Sequence, residues 1–283
     1  MISPGPKPES CVYRLSIGRL LCALLFTLAG CEQVTQQGGV PGRDREGAVT
    51  APGYEPLSGS VFQSDEIQTL QADEFANPGL LWVDRGMALW RETHASGSCH
   101  QCHGRLVDMV GVATRFPRFD EASGSTINLT QQIARCRTEH LGLSSVPYES
   151  ETLLALTAAV AMQSRGLPFA VDTSGPAIAA WQRGRDYFHT RRGQMNLSCQ
   201  HCHELNAGKR LRGERLSQGQ SVGYPTYRLQ WQTLGSLHRR LRFCNSAIRA
   251  QPFAYGAQEY VDLELYLAWR GGGLGLEAPA VRR

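Results

Sequence analysis

Two five-residue motifs constrain this chain more than any other feature: Cys99-His100-Gln101-Cys102-His103 and Cys199-Gln200-His201-Cys202-His203. Two cysteines three positions apart on a helical turn present their sulfurs on one face, and the histidine that follows projects its imidazole beside them. That arrangement suits two thioether bonds to one haem and a nitrogen ligand to its iron. With 9 cysteines and 8 histidines in 283 residues, chance supplies only about 0.01 copies of such a motif. A redox-active Cys-x-x-Cys, or a zinc site pooling both pairs, would use the same cysteines. Neither requires histidine immediately after each pair. We therefore expect two covalent c-type haems, attached through Cys99, Cys102, Cys199 and Cys202, with His103 and His203 as iron ligands.

The surroundings of the motifs also repeat. Pro78 is followed eight residues on by Gly86, and Pro176 by Gly184; each glycine has an arginine before it (Arg85, Arg183) and an aromatic residue four positions later (Trp90, Phe188). Both stretches read as helices opened by proline at the first turn. Each half closes with an expected amphipathic helix, over residues 150–164 and 257–269, that stops at Arg165-Gly166 and Arg270-Gly271, where glycine suits a helix C-cap. No alternating strand pattern of comparable strength intervenes. The fold expected is mainly α, with two tandem c-type cytochrome domains related by internal duplication, residues 61–170 and 171–283. A domain of about 100 residues can close its apolar surface around a large flat cofactor.

Before residue 61 the chain has another character. Lys7, Arg14 and Arg19 precede an uncharged apolar run over residues 20–30, too short for a bilayer but of signal-peptide length. The run ends in Leu28-Ala29-Gly30-Cys31, which resembles a bacterial lipoprotein box with Cys31 as lipid anchor; ordinary cleavage nearby would leave Cys31 free. Residues 1–30 are thus expected to be an export signal and the chain periplasmic. Glu32 favours tethering to the outer membrane, by the same resemblance. Residues 31–60, rich in Gly, Gln, Pro and charge, read as a flexible tether, the alternative being an ordered arm on the body. A net charge of +4 is too mild to argue for nucleic acid and would favour a small anion.

The sixth iron ligand carries the most information. No methionine follows Cys202, so the second haem has His238, Cys244 and Lys209 as candidates within its half. For the first haem the candidates are Met109, Cys136 and His140. One further cysteine stands in each half, Cys136 and Cys244, at comparable places after the motifs. A thiolate on each iron is the symmetric solution and would lower the potential; a Cys136–Cys244 disulfide is the alternative. Cys244 lies in His238-Arg239-Arg240-Leu241-Arg242-Phe243-Cys244-Asn245-Ser246-Ala247-Ile248-Arg249. So many cations would depress a thiol pKa and hold an anion, some of them pairing haem propionates.

From about Gln71 onward the chain resembles the SoxA family, the dihaem subunits of SoxAX cytochrome complexes in bacterial sulfur oxidation. The resemblance rests on Asn77-Pro78-Gly79-Leu80-Leu81-Trp82-Val83-Asp84-Arg85-Gly86, on Tyr148-Glu149-Ser150-Glu151 with Gln163-Ser164-Arg165-Gly166, on Arg191-Arg192-Gly193-Gln194-Met195-Asn196-Leu197-Ser198, on Cys244-Asn245 leading to Arg249-Ala250-Gln251-Pro252-Phe253, and on Glu264-Leu265-Tyr266-Leu267-Ala268-Trp269-Arg270. It implies a heterodimer with a monohaem SoxX-type cytochrome that joins thiosulfate oxidatively to a cysteine of the SoxY carrier in a SoxYZ complex. It implies further that Cys244 is a haem ligand modified to a persulfide and is the catalytic sulfur, that Arg240 and Arg270 position thiosulfate, and that Cys136 ligates the first iron. The lipoprotein box departs from the many soluble members. The competing functional class is a non-catalytic dihaem electron carrier; a haem sensor would need an output domain that the sequence does not offer.

Overall fold

The computed structural model describes residues 54–283, so the export signal, the Cys31 anchor and most of the tether lie outside the described residues. Residues Glu55–Arg283 form one compact unit. Its elements are α1 (Asp65–Ala72), α2 (Leu80–Arg91), α3 (Cys99–His103), β1 (Arg118–Asp120), β2 (Ser125–Ile127), α4 (Leu129–Glu139), α5 (Glu151–Met162), α6 (Ile178–His189), α7 (Cys199–His203), β3 (Arg210–Leu211), β4 (Glu214–Arg215), β5 (Thr226–Arg228), β6 (Thr233–Gly235), α8 (Leu237–Ala247), α9 (Gln258–Arg270) and β7 (Ala280–Arg282). The order helix, motif helix, hairpin, helix, closing helix occurs twice, as a duplicated mainly α fold requires.

The packing explains the two matched glycines. Helices α2 and α5 form the main crossing of the first half, and α6 and α9 that of the second. At Gly86 an added Cβ would lie 2.2 Å from the Ala155 carbonyl oxygen, and at Gly184 one would lie 2.0 Å from that of Asp262. Each glycine is where two helix backbones approach too closely for any side chain. Both helices start two residues beyond the prolines, at Leu80 and Ile178, because Pro78 and Pro176 sit in the turns that lead in.

The closing helices differ from the expectation. Leu153 to Ala161 of α5 are all buried, and nine residues of α9 are, so neither is amphipathic. Each is the central helix of its half, covered from several sides; α5 is apolar nearly all round, as that position favours, whereas α9 also buries Asp262 and Arg270. Gly271 does occupy the C-cap of α9, with φ −85°. The described part of the tether is also ordered: Leu57 N–H donates to Gln218 Oε1 at 2.7 Å, Gln218 Nε2 donates to the Glu55 carbonyl at 3.0 Å, and Ser60 Oγ donates to Glu277 at 3.2 Å. The arm alternative holds for residues 55–60.

The short strands went unread in the sequence. β1 and β2 form a hairpin that leads into α4, and β5 and β6 form one that leads into α8; β7 adds to β5 in parallel. At each junction a side chain caps the helix, Asn128 accepting from Gln131 N–H at 3.0 Å and Ser236 from Arg239 N–H at 3.2 Å.

A buried polar cluster joins the halves. Asn128 Nδ2 donates to Tyr148 Oη at 2.7 Å and to Glu264 Oε2 at 2.8 Å. His238, fully buried, stacks on Tyr148 at 4.9 Å and turns Nε2 toward Glu264 at 3.3 Å. Desolvation and the nearby Glu264 charge push the Tyr148 hydroxyl well above its ordinary pKa.

Candidate haem and sulfur sites

Each motif helix begins at a serine cap behind a tight turn. Ser98 caps α3, accepting from Gln101 N–H at 3.1 Å, and Ser198 caps α7. The turns are closed by the His94–Gly97 and Arg192–Leu197 bridges. Two five-residue helices are thereby fixed at their N-termini, each with its first cysteine directly after the cap and its histidine at the last position. No disulfide links any of the six described cysteines, so Cys136 and Cys244 are not joined. Among the described residues no three His, Cys, Asp or Glu side chains converge as a metal-ion site, which removes the pooled zinc arrangement.

The second half builds the more complete site. His203 Nδ1–H donates to the Ser217 carbonyl at 2.8 Å. This bond fixes the tautomer and leaves Nε2 as the ligating nitrogen. Gly219, at φ +74°, lies against the same ring, where an added Cβ would come within 3.0–3.2 Å of His203 atoms. Cys244, half-buried on α8, lies within the electrostatic reach of His203. Burial raises its thiol pKa, but Arg240, His203 and Arg228 outweigh this and hold it down to about 7. Cys199, by contrast, is pushed up to about 12 by burial and by the neighbouring Cys244. Cys199, Cys202, His203 and Cys244 thus lie within electrostatic reach of one another, a donor set that would hold a c-type haem through the two motif cysteines and offer His203 and Cys244 to its iron.

The other second-half candidates are placed elsewhere. His238 Nδ1 accepts from Gly256 N–H at 3.0 Å in the inter-half cluster, and Lys209 Nζ donates to Asn206 at 2.9 Å on the exposed side. Arg270 is buried at the end of α9, its Nη1 donating to the Gln218 carbonyl at 3.0 Å and its guanidinium 4.4 Å from the Phe188 ring. It reaches the site through the loop that holds His203.

In the first half, Trp90 Nε1 donates to the Gly104 carbonyl at 3.0 Å and its ring lies 5.8 Å from His103. Desolvation and the nearby His140 lower the His103 pKa, which suits a neutral ligating imidazole. Cys136 interacts with Cys99 and accepts from Gln132 Nε2 at 3.2 Å, while Met109 packs on the apolar core. Cys99, Cys102, His103 and Cys136 therefore fit a first haem in the same way.

Sequence reasoning missed Arg228. It lies on β5, 5% exposed, and influences both Cys244 and Arg240. Its cue was the register of the hairpins, which becomes visible only once their pairing is known.

Two helical modules, each presenting Cys-x-x-Cys-His, define a tandem c-type cytochrome. A family model described as the SoxA/TsdA cytochrome c domain matches residues 85–169 and 183–275. The chain is 40% identical over 228 residues to the L-cysteine S-thiosulfotransferase subunit SoxA of Rhodovulum sulfidophilum, covering 80% of this chain and 79% of that one. It is 37% identical over 227 residues to the SoxA subunit of Paracoccus pantotrophus, covering 80% and 78%. The crystal structure of SoxXA from P. pantotrophus superposes with a TM-score of 0.78 at 36% identity, over 81% of this chain and 87% of that one. The chain belongs to the SoxA family.

Proposed function

We propose that this protein is the catalytic subunit of an L-cysteine S-thiosulfotransferase, working in complex with a SoxX-type monohaem cytochrome on a SoxY-type carrier of a SoxYZ complex. It would hold two covalent haems: one on Cys99 and Cys102 with His103 and Cys136 as ligands, the other on Cys199 and Cys202 with His203 and Cys244. Bound haem supplies one-electron acceptor chemistry, which a two-electron coupling of two sulfurs requires.

The chain's own residues do the rest. Arg240 holds the sulfonate end of thiosulfate, and Cys244 is the sulfur against which its outer sulfur is placed. Removal of two electrons joins thiosulfate to the Cys244 thiolate as a thiosulfonate; attack by the carrier thiolate then passes that group on and restores Cys244. Charge balances at each step, because a thiolate and a dianion become a monoanion plus two electrons. The cations beside Cys244, Arg240 and Arg228, favour the charged, nucleophilic form of sulfur that both roles need. Resting Cys244 carries one extra sulfur as a persulfide, whose terminal sulfur then takes the thiolate's part in the same two steps and is restored by the carrier's attack on the outer sulfur, and Arg270 serves by holding the His203 loop. The chain works in the periplasm, tethered to the outer membrane through lipid on Cys31.

The observation that carries this reading is the convergence of Cys244, His203 and Arg240. It is tested with the Cys244→Ala holoprotein in complex with its partner, assayed for thiosulfate conjugation to carrier. Conjugation is expected to vanish while both haems stay attached by intact mass. A variant that still conjugates would make the protein an electron carrier.

A further inference from the structure

We propose that Arg228 is the second cation of the thiosulfate site, gripping the sulfonate oxygens together with Arg240; this rests on the function proposed above. The argument comes from comparing the two halves. From each hairpin through the helix that follows, the halves match at one constant offset: β1–β2 on β5–β6, Asn128 on Ser236, α4 on α8 and Cys136 on Cys244. At that offset Asp120 corresponds to Arg228, Gln132 to Arg240 and Arg135 to Phe243.

In the first half these positions neutralise one another. Arg135 donates to both oxygens of Asp120 at 2.6 and 2.9 Å and to Gln132 at 2.8 Å, and Gln132 donates to the Cys136 sulfur. In the second half the carboxylate has become a guanidinium, the amide another guanidinium, and the neutralising arginine a phenyl ring. Around the sulfur the same framework thus carries two cations where the other half carries an internal ion pair.

Arg228 is also unsatisfied. Its Nε and Nη2 are buried without hydrogen-bond partners. The nearest carboxylate, Glu214 Oε2 on the second half's extra hairpin β3–β4, lies 3.5 Å from Nη2 without hydrogen-bond alignment, and the Trp231 ring is 5.4 Å away. Burying guanidinium donors without acceptors is costly, whereas an oxyanion would satisfy them. Two guanidiniums match the charge of a dianion and present planar donor pairs to its oxygens. A propionate of the second haem is the other oxyanion that could take these donors, and the test separates the two.

The experiment uses Arg228→Gln and Arg228→Lys holoproteins in complex with the monohaem partner. It measures KM and kcat for thiosulfate in the carrier assay, the thiosulfate Kd by calorimetry, and the second haem's reduction potential. For Arg228→Gln, KM and Kd are expected to rise roughly 10–100-fold, with little change in kcat and an unmoved potential. Arg228→Lys keeps the charge but loses the planar grip and should fall between, so it supplies the result if Arg228→Gln yields no holoprotein. Unchanged KM and Kd in the variants, beside a working wild type, overturn the inference alone. A shifted second-haem potential with unchanged Kd assigns Arg228 to the propionate and overturns it as well. A wild-type complex that conjugates no thiosulfate overturns the functional reading, and the inference with it.

Discussion

Replacing Gly184 with alanine tests whether the close crossing of α6 and α9 sets the geometry of the second half. The new Cβ would lie 2.0 Å from the Asp262 carbonyl oxygen, 2.6 Å from its carbon and 2.9 Å from Tyr266 Cβ, whereas ordinary contact begins near 3.4 Å. Two of these three atoms are backbone, so no side-chain rotation relieves the overlap and the helices must separate by about 1 Å. Overpacking ordinarily costs about 1–3 kcal/mol; here, where backbone must move, the cost is about 3–4 kcal/mol. Alanine returns about 1 kcal/mol through its higher helix propensity. The net expectation is a loss of about 2–3 kcal/mol, or a fall in Tm of about 4–12 °C for a chain of this size. Thermal unfolding of the holoprotein followed by far-ultraviolet circular dichroism measures it. A variant as stable as the wild type would refute the reasoning, because it would mean that the crossing has slack that the structure does not show.

Two other perturbations follow from the sites. Asp120→Asn removes the carboxylate charge that Arg135 pairs with, whose hydrogen bonds hold the Asp120 carboxyl well below the ordinary carboxylate range. The ion pair's contribution is therefore complete above about pH 4 and is lost as the pH falls toward the lowered folded value. At neutral pH the variant should lose about 2–3 kcal/mol, since the pair is largely buried but Arg135 keeps some contact with water. Its denaturant midpoint should depend less on acid than the wild type's, and parallel acid profiles would count against the pair. Gly219→Ala strains a backbone at φ +74° and presses on the His203 ring. It should perturb the absorbance and potential of the second haem and spare the first; an unaltered second haem would dissociate that loop from the imidazole.

How much could be read in advance depended on whether a residue's reason was local. The motif helices were legible because cysteines and histidine at fixed spacing carry their own geometry. Gly86 and Gly184 were visible as matched positions, yet their reason, the carbonyl of a partner helix, lies some 70 to 80 residues away. Helices α5 and α9 were located correctly and their faces misjudged, since periodicity cannot tell which neighbours cover a short apolar helix. His238 remained a plausible ligand until its ring was found buried in the seam between the halves, Nδ1 accepting from Gly256 N–H and Nε2 turned toward Glu264. The hairpins, with three-residue strands, give too few alternations to detect, and without them the correspondence of Asp120 with Arg228 stayed hidden.

The Asn128, Tyr148, Glu264 and His238 cluster bears on how this molecule can be dissected. The repeats meet in a shared, largely buried seam where each supplies what the other lacks: an amide and a phenol from the first, a carboxylate and an imidazole from the second. A fragment carrying one motif alone would bring its portion of that seam into water or bury it unmatched. Spectra of the two proposed haems are therefore better sought by silencing one motif in the intact chain than by cutting it.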